Sequence, residues 1–201
     1  MLSFVPLNDN CEISQLTLTN GSSEDKKLSV FSYVEWCLWN ADDDMKNFQR
    51  NLSTGEVEVQ DSTIYHKTEY RERRNHYAIY SVNTKIDGFD TSRDAFLGAY
   101  RGADSPEAVE NGKCTNSMAS GWSPIASHQI NVDLAAGETK TFIFVLGYIE
   151  NPEDEKWESY GVINKTRAKE MLAKYQTDAQ VDEAFAALQA YWKQLLARYT
   201  V

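Results

Sequence analysis

The segment 27–38, which reads KLSVFSYVEWCL, constrains the fold of this chain more strongly than any other part of the sequence. If it forms a β-strand, successive side chains point to opposite faces of the sheet. One face then carries Leu28, Val30, Ser32, Val34 and Trp36, and the other carries Phe31, Tyr33 and Cys37. A strand with apolar side chains on both faces has to be covered on both sides. The segment therefore predicts a sheet that is packed between two other layers.

Further short strands, separated by turn residues, are predicted along the first 150 residues. The other segments rich in β-branched and aromatic residues are 12–20, 56–60, 63–68, 76–83, 127–134 and 139–148. The residues NGSS at 20–23 predict a turn, and QDS at 60–62 predicts a hairpin. The residues AAGE at 135–138 predict a second hairpin, between the last two strands. This pattern is typical of a mainly β fold, an antiparallel β-sandwich over residues 1–150.

The hydrophobic pattern changes from the period of a strand to that of a helix near the end of the chain. Residues 151–161 (NPEDEKWESYG) are acidic and contain Pro and Gly, which predicts a linker. Asn164 can cap a helix that runs to about Tyr175. Thr177 and Gln180 match a capping box for a second helix. This second helix is predicted to run to about Tyr199, with an apolar stripe of Val181, Phe185, Leu188, Trp192, Leu195 and Tyr199. The sandwich or another partner has to cover that stripe.

Composition and charge exclude several classes of protein. Of the 201 residues, 42% are apolar, so the chain can form a core and is not disordered. A net charge of −10 argues against nucleic acid or an anionic membrane as the main partner, since both attract a cationic surface. Cys11, Cys37 and Cys114 lack the spacing of a metal site, and we interpret them as reduced thiols of a cytosolic protein. The amino terminus lacks a signal-peptide pattern, and no apolar stretch approaches the roughly 18–20 residues of a membrane span.

The segment 39–58 is the main candidate for a functional site. It reads WNADDDMKNFQRNLSTGEVE and shows neither a helical nor a strand period, and long irregular connections are often functional. Its amides offer donors and acceptors, its Arg offers a fork of donors, and its aromatic rings can cover the C–H side of a sugar. The segment therefore predicts a loop that grips a polyhydroxylated ligand. A solvated loop with a buried Trp is the alternative interpretation.

Three further segments carry charged or reactive side chains, and each has a structural alternative. The carboxylates of 42–44 could hold a cation or exchange protons, but adjacent carboxylates also form solvated turns or helix N-termini. The run 66–76 (HKTEYRERRNH) could bind an anion or a sugar, or form an ion-pair network. The segment 120–128 (SGWSPIASH) contains Ser and His without the G-x-S-x-G pattern, and the sequence has no phosphate-binding Gly loop. The residues alone therefore indicate no self-sufficient catalytic constellation.

Six segments, taken together and in order, resemble the cellobiose phosphorylases of glycoside hydrolase family 94, formerly glycosyltransferase family 36. They are FSYVEWCLWNA (31–41), NFQRNLSTGEVEV (47–59), YHKTEYRERRNHYA (65–78), IDGFDTSR (86–93), SGWSPIASH (120–128) and FVLGYIENP (144–152). The resemblance implies a supersandwich-type β-sandwich, followed by a helical linker and an (α/α)6 barrel. It places 1–150 in part of the N-terminal sandwich, 151–161 in an acidic linker, and 162–201 in helices that would lead into a barrel absent from this chain.

The resemblance also implies a reaction, inverting phosphorolysis, in which cellobiose and phosphate give α-glucose 1-phosphate and glucose. The family places its general acid and its phosphate-binding residues in the barrel, so no catalytic residue is assigned here and the chain alone is expected to be inactive. The resemblance implies that Gln49 and Arg50 reach the sugar site, and that Asn40 and Asn47 border its acceptor side across a dimer interface. A cytoplasmic homodimer is expected, with inorganic phosphate as co-substrate and with no cofactor or metal.

Two alternative functions stay open. The chain could be a stand-alone carbohydrate-binding or assembly module, because its fold could form without a barrel. Its specificity could also be for another β-glucoside, as in cellodextrin phosphorylase. For the cluster at 71–74 and for Trp122 only structural roles are predicted. Unpaired strand edges in a partial sandwich further predict self-association.

Overall fold

The computed structural model describes residues 1–36, 55–67, 75–121 and 124–197. In chain order the strands are β1 (Leu2–Phe4), β2 (Cys11–Thr19), β3 (Lys26–Phe31), β4 (Val34–Glu35), β5 (Gly55–Gln60), β6 (Thr63–Lys67), β7 (His76–Val82), β8 (Gly88–Ser92), β9 (Ser120–Gly121), β10 (Pro124–Leu134), β11 (Thr139–Glu150), β12 (Trp157–Ser159) and β13 (Val162–Ile163). The α-helices are α1 (Arg93–Leu97), α2 (Glu107–Glu110), α3 (Thr166–Leu172) and α4 (Asp178–Leu196). Short 3₁₀ helices span Glu153–Glu155 and Ala173–Tyr175.

Two antiparallel sheets form the body of the structure. The larger has seven strands in the order β1-β2-β11-β7-β6-β5-β9. In the smaller, β10 pairs with β3, β4 and β8. A third, two-stranded sheet consists of β12 and β13. The predicted mainly β, antiparallel sandwich with C-terminal helices is confirmed.

The core lies in three layers of contacts. Between the two sheets pack, among others, Ile64, Tyr80, Val82, Ile130, Val132, Phe142 and Phe144. On the outer face of the larger sheet, Ile13, Ile79, Ile143 and Val145 pack against Met171, Leu172 and Val181 of the helices. On the outer face of the smaller sheet, Phe96 and Leu97 of α1 pack against Ile125. Each sheet is therefore covered on both sides where the helices lie over it, and β11 alternates between two apolar layers.

The predicted strand 27–38 is found as β3 and β4, and both pair with β10. Val30, Val34 and Trp36 pack between the sheets, whereas Phe31 and Tyr33 pack beneath α1. The prediction of two covered faces is thus confirmed for these five residues. Leu28, which the same pattern placed on the inner face, remains 44% exposed.

One of the two predicted hairpins is correct and the other is wrong. Strands β5 and β6 form a hairpin, with Gln60 opposite Thr63. Strands β10 and β11 do not pair, because β10 belongs to the smaller sheet and β11 to the larger. The connection 135–138 therefore crosses between sheets, and so does the turn at 20–23 between β2 and β3. A strand that is apolar on both faces has the same sequence pattern in a hairpin as at a sandwich corner, so periodicity could not separate them.

Asn20 fastens these two crossing connections together. Its buried side-chain amide donates to the carbonyl oxygens of Leu134 at 3.1 Å, Ala135 at 3.0 Å and Glu24 at 2.8 Å. Its backbone N–H donates to the carbonyl of Glu138 at 2.9 Å. One buried amide therefore fixes the corner at which the chain passes twice from sheet to sheet.

The C-terminal helices follow the predicted pattern with small differences. Asn164 Oδ1 accepts a hydrogen bond from the Thr166 N–H at 3.1 Å, although α3 changes to a 3₁₀ helix after Leu172. The capping box of Thr177 and Gln180 at the start of α4 is present. The stripe of α4 packs on the sheet through Val181, Phe185 and Leu188. Farther along, Trp192 is 48% exposed, and Tyr199 lies outside the described residues.

Residues 151–161, predicted as a linker, carry a 3₁₀ helix and strand β12. Asn151 and Lys156 are buried, so this segment packs on the body of the sandwich. Whether it also separates two domains stays a prediction. In the part of the chain that the structure describes, no helix has both the length and the apolar character needed to cross a bilayer.

Candidate functional site

The four residues predicted to bind sugar, Asn40, Asn47, Gln49 and Arg50, lie in 37–54, outside the described residues, and so do the carboxylates of 42–44. Their roles therefore stay predictions. The described residues on either side show where this segment joins the sandwich. Trp36 stacks on His66 of β6, with ring centroids 5.2 Å apart and planes 8° apart. Gly55 opens β5, the hairpin partner of β6.

The sheet order brings all the segments singled out in the sequence to one end of the larger sheet. Strand β6 ends at Lys67, which lies opposite Glu56 near the start of β5. Strand β7 begins at this end too, because Lys67 also lies opposite Tyr77. Strand β9 ends here, with Gly121 opposite Gly55. The segments 39–58, 66–76 and 120–128 thus all join the sheet at the same end, although they are far apart in sequence.

A cleft of about 590 Å³ opens at this end, and we call it the sheet-end cleft. It is lined by Glu56, Lys67, Ser120, Gly121, Trp157, Ser159, Tyr160 and Gly161. Four of these belong to the hairpin of β12 and β13, which falls mostly in the predicted linker and was missed. The signal was present as the run WESYGVI at 157–163, in which apolar residues flank a Gly that can form a turn. Gly161 adopts φ of +73°, a conformation that favours glycine.

A buried network of charges joins this hairpin to the sheet. Lys67 Nζ donates to the Gly161 carbonyl at 2.7 Å and lies 3.0 Å from Glu58 Oε1 and 3.2 Å from Glu56 Oε2. Glu58 Oε2 pairs with the ammonium of Lys165, whose side chain is 5% exposed. Glu58 Oε1 also accepts from the Ile163 N–H at 3.0 Å. Two ammonium groups and two carboxylates therefore balance each other at the cleft, where Lys67, Lys165 and Glu58 are largely buried and Glu56 is exposed.

The pKa of Glu58 reflects these contacts. Burial alone would raise it, but the hydrogen bonds from Lys165, the Ile163 N–H and Lys67 outweigh burial and hold the pKa below its usual value. Glu58 is therefore ionised at neutral pH and is engaged by donors on both oxygens. This carboxylate acts as a structural anchor and is not available as a general acid.

Two histidines near the candidate segments, His66 and His128, are buried and packed as structural side chains. Burial lowers the pKa of His66 to about 4 and that of His128 to about 3, so both are neutral at pH 7. The ring of His128 stacks on Tyr80 at 4.9 Å, and its Nδ1 lies 3.3 Å from the hydroxyl of Ser32.

Within the described ranges, no group of three His, Cys, Asp or Glu side chains is arranged to hold a metal ion. Burial raises the pKa of the Cys11 and Cys114 thiols to about 12, which makes them poor nucleophiles.

Comparisons with known proteins relate this arrangement to a family. A family model described as "Glycosyl hydrolase 94, supersandwich domain" matches residues 1–178. The chain is 29% identical over 199 residues to the N,N'-diacetylchitobiose phosphorylase of Vibrio proteolyticus, covering 98% of this chain and 23% of that protein. It is 26% identical over 194 residues to the solabiose phosphorylase of Paenibacillus borealis, covering 93% and 23%. It is 26% identical over 182 residues to the cyclic β-(1,2)-glucan synthase NdvB of Rhizobium meliloti (strain 1021), covering 90% and 6%. The chain thus spans less than a quarter of the length of each of these relatives.

Proposed function

Because this chain belongs to the glycosyl hydrolase 94 supersandwich domain family, we propose that it forms the sandwich part of an inverting disaccharide phosphorylase. The match over residues 1–178 is the observation that carries the proposal. Two of the relatives named above are disaccharide phosphorylases, which supports the same reaction class.

The proposed reaction divides its chemistry between two parts of a longer protein. A carboxylic acid in a helical barrel protonates the glycosidic oxygen while phosphate attacks the opposite face of the sugar. This chain contributes orientation of the sugar and selection of the acceptor, and no proton transfer. Phosphate is a co-substrate in this scheme, and the reaction needs no cofactor.

We propose that Gln49 and Arg50 contact the sugar and that Asn40 and Asn47 border the acceptor across a dimer interface. Amide and guanidinium groups suit this task, because each leaves a donor unpaired when a sugar hydroxyl is missing. The contacts of the residues that flank this segment support the proposed roles. Trp36 and Gly55, the described residues on either side of the segment, both contact neighbouring strands, Trp36 by stacking on His66 and Gly55 by pairing with Gly121.

Cellobiose is the disaccharide that the sequence motifs favour. N,N'-diacetylchitobiose is the second candidate, because an N,N'-diacetylchitobiose phosphorylase is similar to almost the whole of this chain. The test is to assay the protein encoded by this chain together with its downstream sequence. Phosphate is supplied with cellobiose, N,N'-diacetylchitobiose or a cellodextrin, and the sugar 1-phosphate is measured. Release from cellobiose is expected to be fastest. Absence of any sugar 1-phosphate would overturn the proposed reaction, and faster release from N,N'-diacetylchitobiose would overturn the cellobiose specificity.

The role of the loop is tested in the same protein. Replacing Asn40 or Asn47 by Ala is expected to change the preference among acceptors in the synthetic direction, whereas replacing Asn8, which is exposed, is not. An unchanged acceptor preference in both loop variants would remove the assigned role. The 201-residue chain alone is expected to release no glucose 1-phosphate from cellobiose, and release would show that catalytic groups are present in it.

Self-association is part of the proposal, since the predicted acceptor-side residues act across a dimer interface. Light scattering of the chain is expected to give a dimer or a larger assembly. A monomer at all concentrations tested would count against this part. A stand-alone carbohydrate-binding module is the second candidate function, and the sheet-end cleft, which opens where the candidate segments join the sheet, favours it.

A further inference from the structure

We propose that Asn111 is a site of spontaneous deamidation, and that the fold protects Asn20 from the same reaction. Each of these residues precedes a glycine, at Asn20-Gly21 and Asn111-Gly112, and the sequence contains no other Asn-Gly pair. The substrate is the side-chain amide, and the co-reactant is water. The inference is independent of the proposed phosphorolysis, because it involves neither a sugar nor any polypeptide outside this chain.

The reaction joins a backbone nitrogen to the side chain of the preceding residue. The nitrogen of the glycine gives its proton to hydroxide and attacks Cγ of the asparagine, which forms a new C–N bond. The C–N bond of the side-chain amide breaks, and its nitrogen leaves as ammonia. Water then opens the five-membered succinimide ring at one of its two carbonyl groups and gives aspartate or isoaspartate. Nothing is oxidised or reduced, and glycine favours the attack because it has no Cβ to obstruct its nitrogen.

The fold holds Asn20 in a geometry in which this ring cannot close. The residue is 6% exposed, and its side-chain amide donates to three backbone carbonyl oxygens. Its Oδ1 accepts from the Ser22 N–H at 3.1 Å and from the Ser22 hydroxyl at 2.8 Å. Its own carbonyl accepts from the Gly137 N–H at 2.9 Å, which also fixes the peptide plane that carries the Gly21 nitrogen. Reaction at Asn20 therefore requires the sandwich corner to open first.

Asn111 lies in a much looser place, at the carboxyl end of α2. Both Asn111 and Gly112 are exposed. Helix α2 has four residues, and of these Ala108 is the buried one. Gly112 adopts φ of +65°, and a Cβ placed on it would meet no atom within 4 Å, so the backbone has room to turn at this point.

A small local opening is enough to bring Asn111 into a reactive geometry. Its ψ of −9° keeps the Gly112 nitrogen away from Cγ, whereas the ring closes only when the two are nearly eclipsed about the Cα–C bond. Rotation about this bond breaks the hydrogen bonds from Gly112 N–H to the Val109 carbonyl, at 3.1 Å, and from Lys113 N–H to the Ala108 carbonyl, at 2.9 Å. Because these bonds end a single short turn of helix, breaking them costs far less than opening the sandwich corner.

The modification changes a contact that holds this turn to the smaller sheet. The Gly112 carbonyl accepts from Gln129 Nε2 at 3.1 Å, and the Cys114 N–H donates to Gln129 Oε1 at 2.8 Å. Isoaspartate at position 111 adds a methylene group to the backbone directly before Gly112 and therefore displaces this two-point contact. Ala108 and Cys114 belong to the apolar layer that covers Ile125, so we expect the modified chain to be less stable.

The test is to incubate the folded 201-residue chain in mildly alkaline buffer and to follow each asparagine by peptide mass spectrometry. Conversion of Asn111 to aspartate and isoaspartate is expected to be at least about tenfold faster than conversion of Asn20. In the chain unfolded in urea, the two rates are expected to agree within about threefold, because the following glycine alone then decides reactivity. The melting temperature of the incubated, folded chain is expected to fall by about 2–4 °C.

Matched controls lie in the same chain. Asn8 is exposed but precedes Asp9, and it is expected to stay unmodified. Asn111→Gln keeps an exposed amide but would need a six-membered ring, so it is expected to abolish the modification and to keep its melting temperature during incubation. The proposal is overturned if Asn20 reacts as fast as Asn111 in the folded chain, or if Asn111 reacts no faster than Asn8. It is also overturned if Asn20 stays unreactive in urea, or if Asn111→Gln loses as much melting temperature as the wild type.

Discussion

Lys67→Met tests whether the buried charge network beneath the cleft stabilises the fold. Methionine keeps most of the length and volume of the lysine but removes its charge and donors. The change deletes a partly buried, charge-assisted bond of 2.7 Å from Lys67 to the Gly161 carbonyl, which is worth about 1.5–3 kcal/mol. It also deletes the pair with the exposed Glu56, which is worth about 0–1 kcal/mol. The third contact, to Glu58, is lost as well, but Glu58 keeps Lys165 and the Ile163 N–H.

Removing the desolvation cost of a buried ammonium offsets part of these losses. We therefore expect the free energy of unfolding at pH 7 to fall by about 1–3 kcal/mol in Lys67→Met. Urea denaturation followed by circular dichroism measures it. Lys27→Met is the control, because Lys27 is 90% exposed and lies 4.0 Å from Asp133, and it is expected to change the free energy by less than about 0.5 kcal/mol.

The pH dependence of the same difference tests the contribution of Glu58 to the network. The pKa of Glu58 is lowered in the folded state, so its contribution is fully present above its unfolded pKa of about 4.3 and is lost as pH falls through the folded pKa. The destabilisation caused by Lys67→Met should therefore be largest near pH 7 and shrink below about pH 4. A variant as stable as wild type at pH 7, or a difference that grows on acidification, would refute the view that ion pairs hold this end of the sheet.

Three further predictions concern the body of the fold. Asn20→Ala is expected to lower the free energy of unfolding by about 2–4 kcal/mol, because it removes three hydrogen bonds at the sandwich corner, one of them to the buried Leu134 carbonyl, as measured in urea. The pKa values of His66 and His128 are lowered to about 4 and about 3 in the folded chain, so on acidification the unfolded chain binds protons first. Stability should therefore begin to fall near pH 6.5 and continue to fall to about pH 4. The melting temperature measured against pH tests this. Gly147→Ala is expected to cost about 1–3 kcal/mol in the same urea assay, because its Cβ would lie 2.9 Å from Cγ1 of Ile79.

Each of these predictions has a matched control. Asn8→Ala changes an exposed amide and should leave stability unchanged, so an equal loss in Asn8→Ala and Asn20→Ala would contradict the corner argument. Gly21→Ala adds a Cβ that would have no atom within 4 Å, and its cost should be far below that of Gly147→Ala. His128→Gln should flatten the acid slope between pH 6.5 and 4. An unchanged slope would show that other groups cause it.

The layered sandwich could be predicted because the residues of β3 and β4 themselves show that both faces of these strands are apolar. The alternation of Val30, Phe31 and Val34 shows two apolar faces without any knowledge of neighbours, and the structure covers both. Strand pairing is different, because it depends on where a distant strand lies. The connection 135–138 has the composition of a hairpin turn, but the buried amide of Asn20, more than 110 residues away in sequence, holds it as a corner between sheets. Nothing local to the connection signals that contact.

The candidate site could be predicted only in part for the same reason. The composition of 39–58 suggested sugar binding, and the sheet order explains why that segment shares one end of the sandwich with 66–76 and 120–128. Trp157 and Tyr160 were missed because a Pro, a Gly and several acidic residues made their segment resemble a linker. The contacts that turn the segment into a cleft wall come from Lys67, about 90 residues earlier, and sequence spacing carries no information on such a contact.

Glu58 connects this end of the sheet to the helices that follow it. One carboxylate oxygen meets Lys67, which lines the cleft, and the other meets Lys165, the residue before α3. The Ile163 N–H on β13 donates to the same carboxylate at 3.0 Å. Since one buried side chain makes all three contacts, the cleft wall and the N-terminal end of α3 cannot move apart without breaking a charge-assisted bond in a poorly solvated place. A buried ion pair adds little net stability compared with apolar packing, so its clearest effect here is to fix the relative position of sheet, hairpin and helix. Orientation of this kind is what a sandwich domain has to supply if it holds a sugar for chemistry carried out elsewhere.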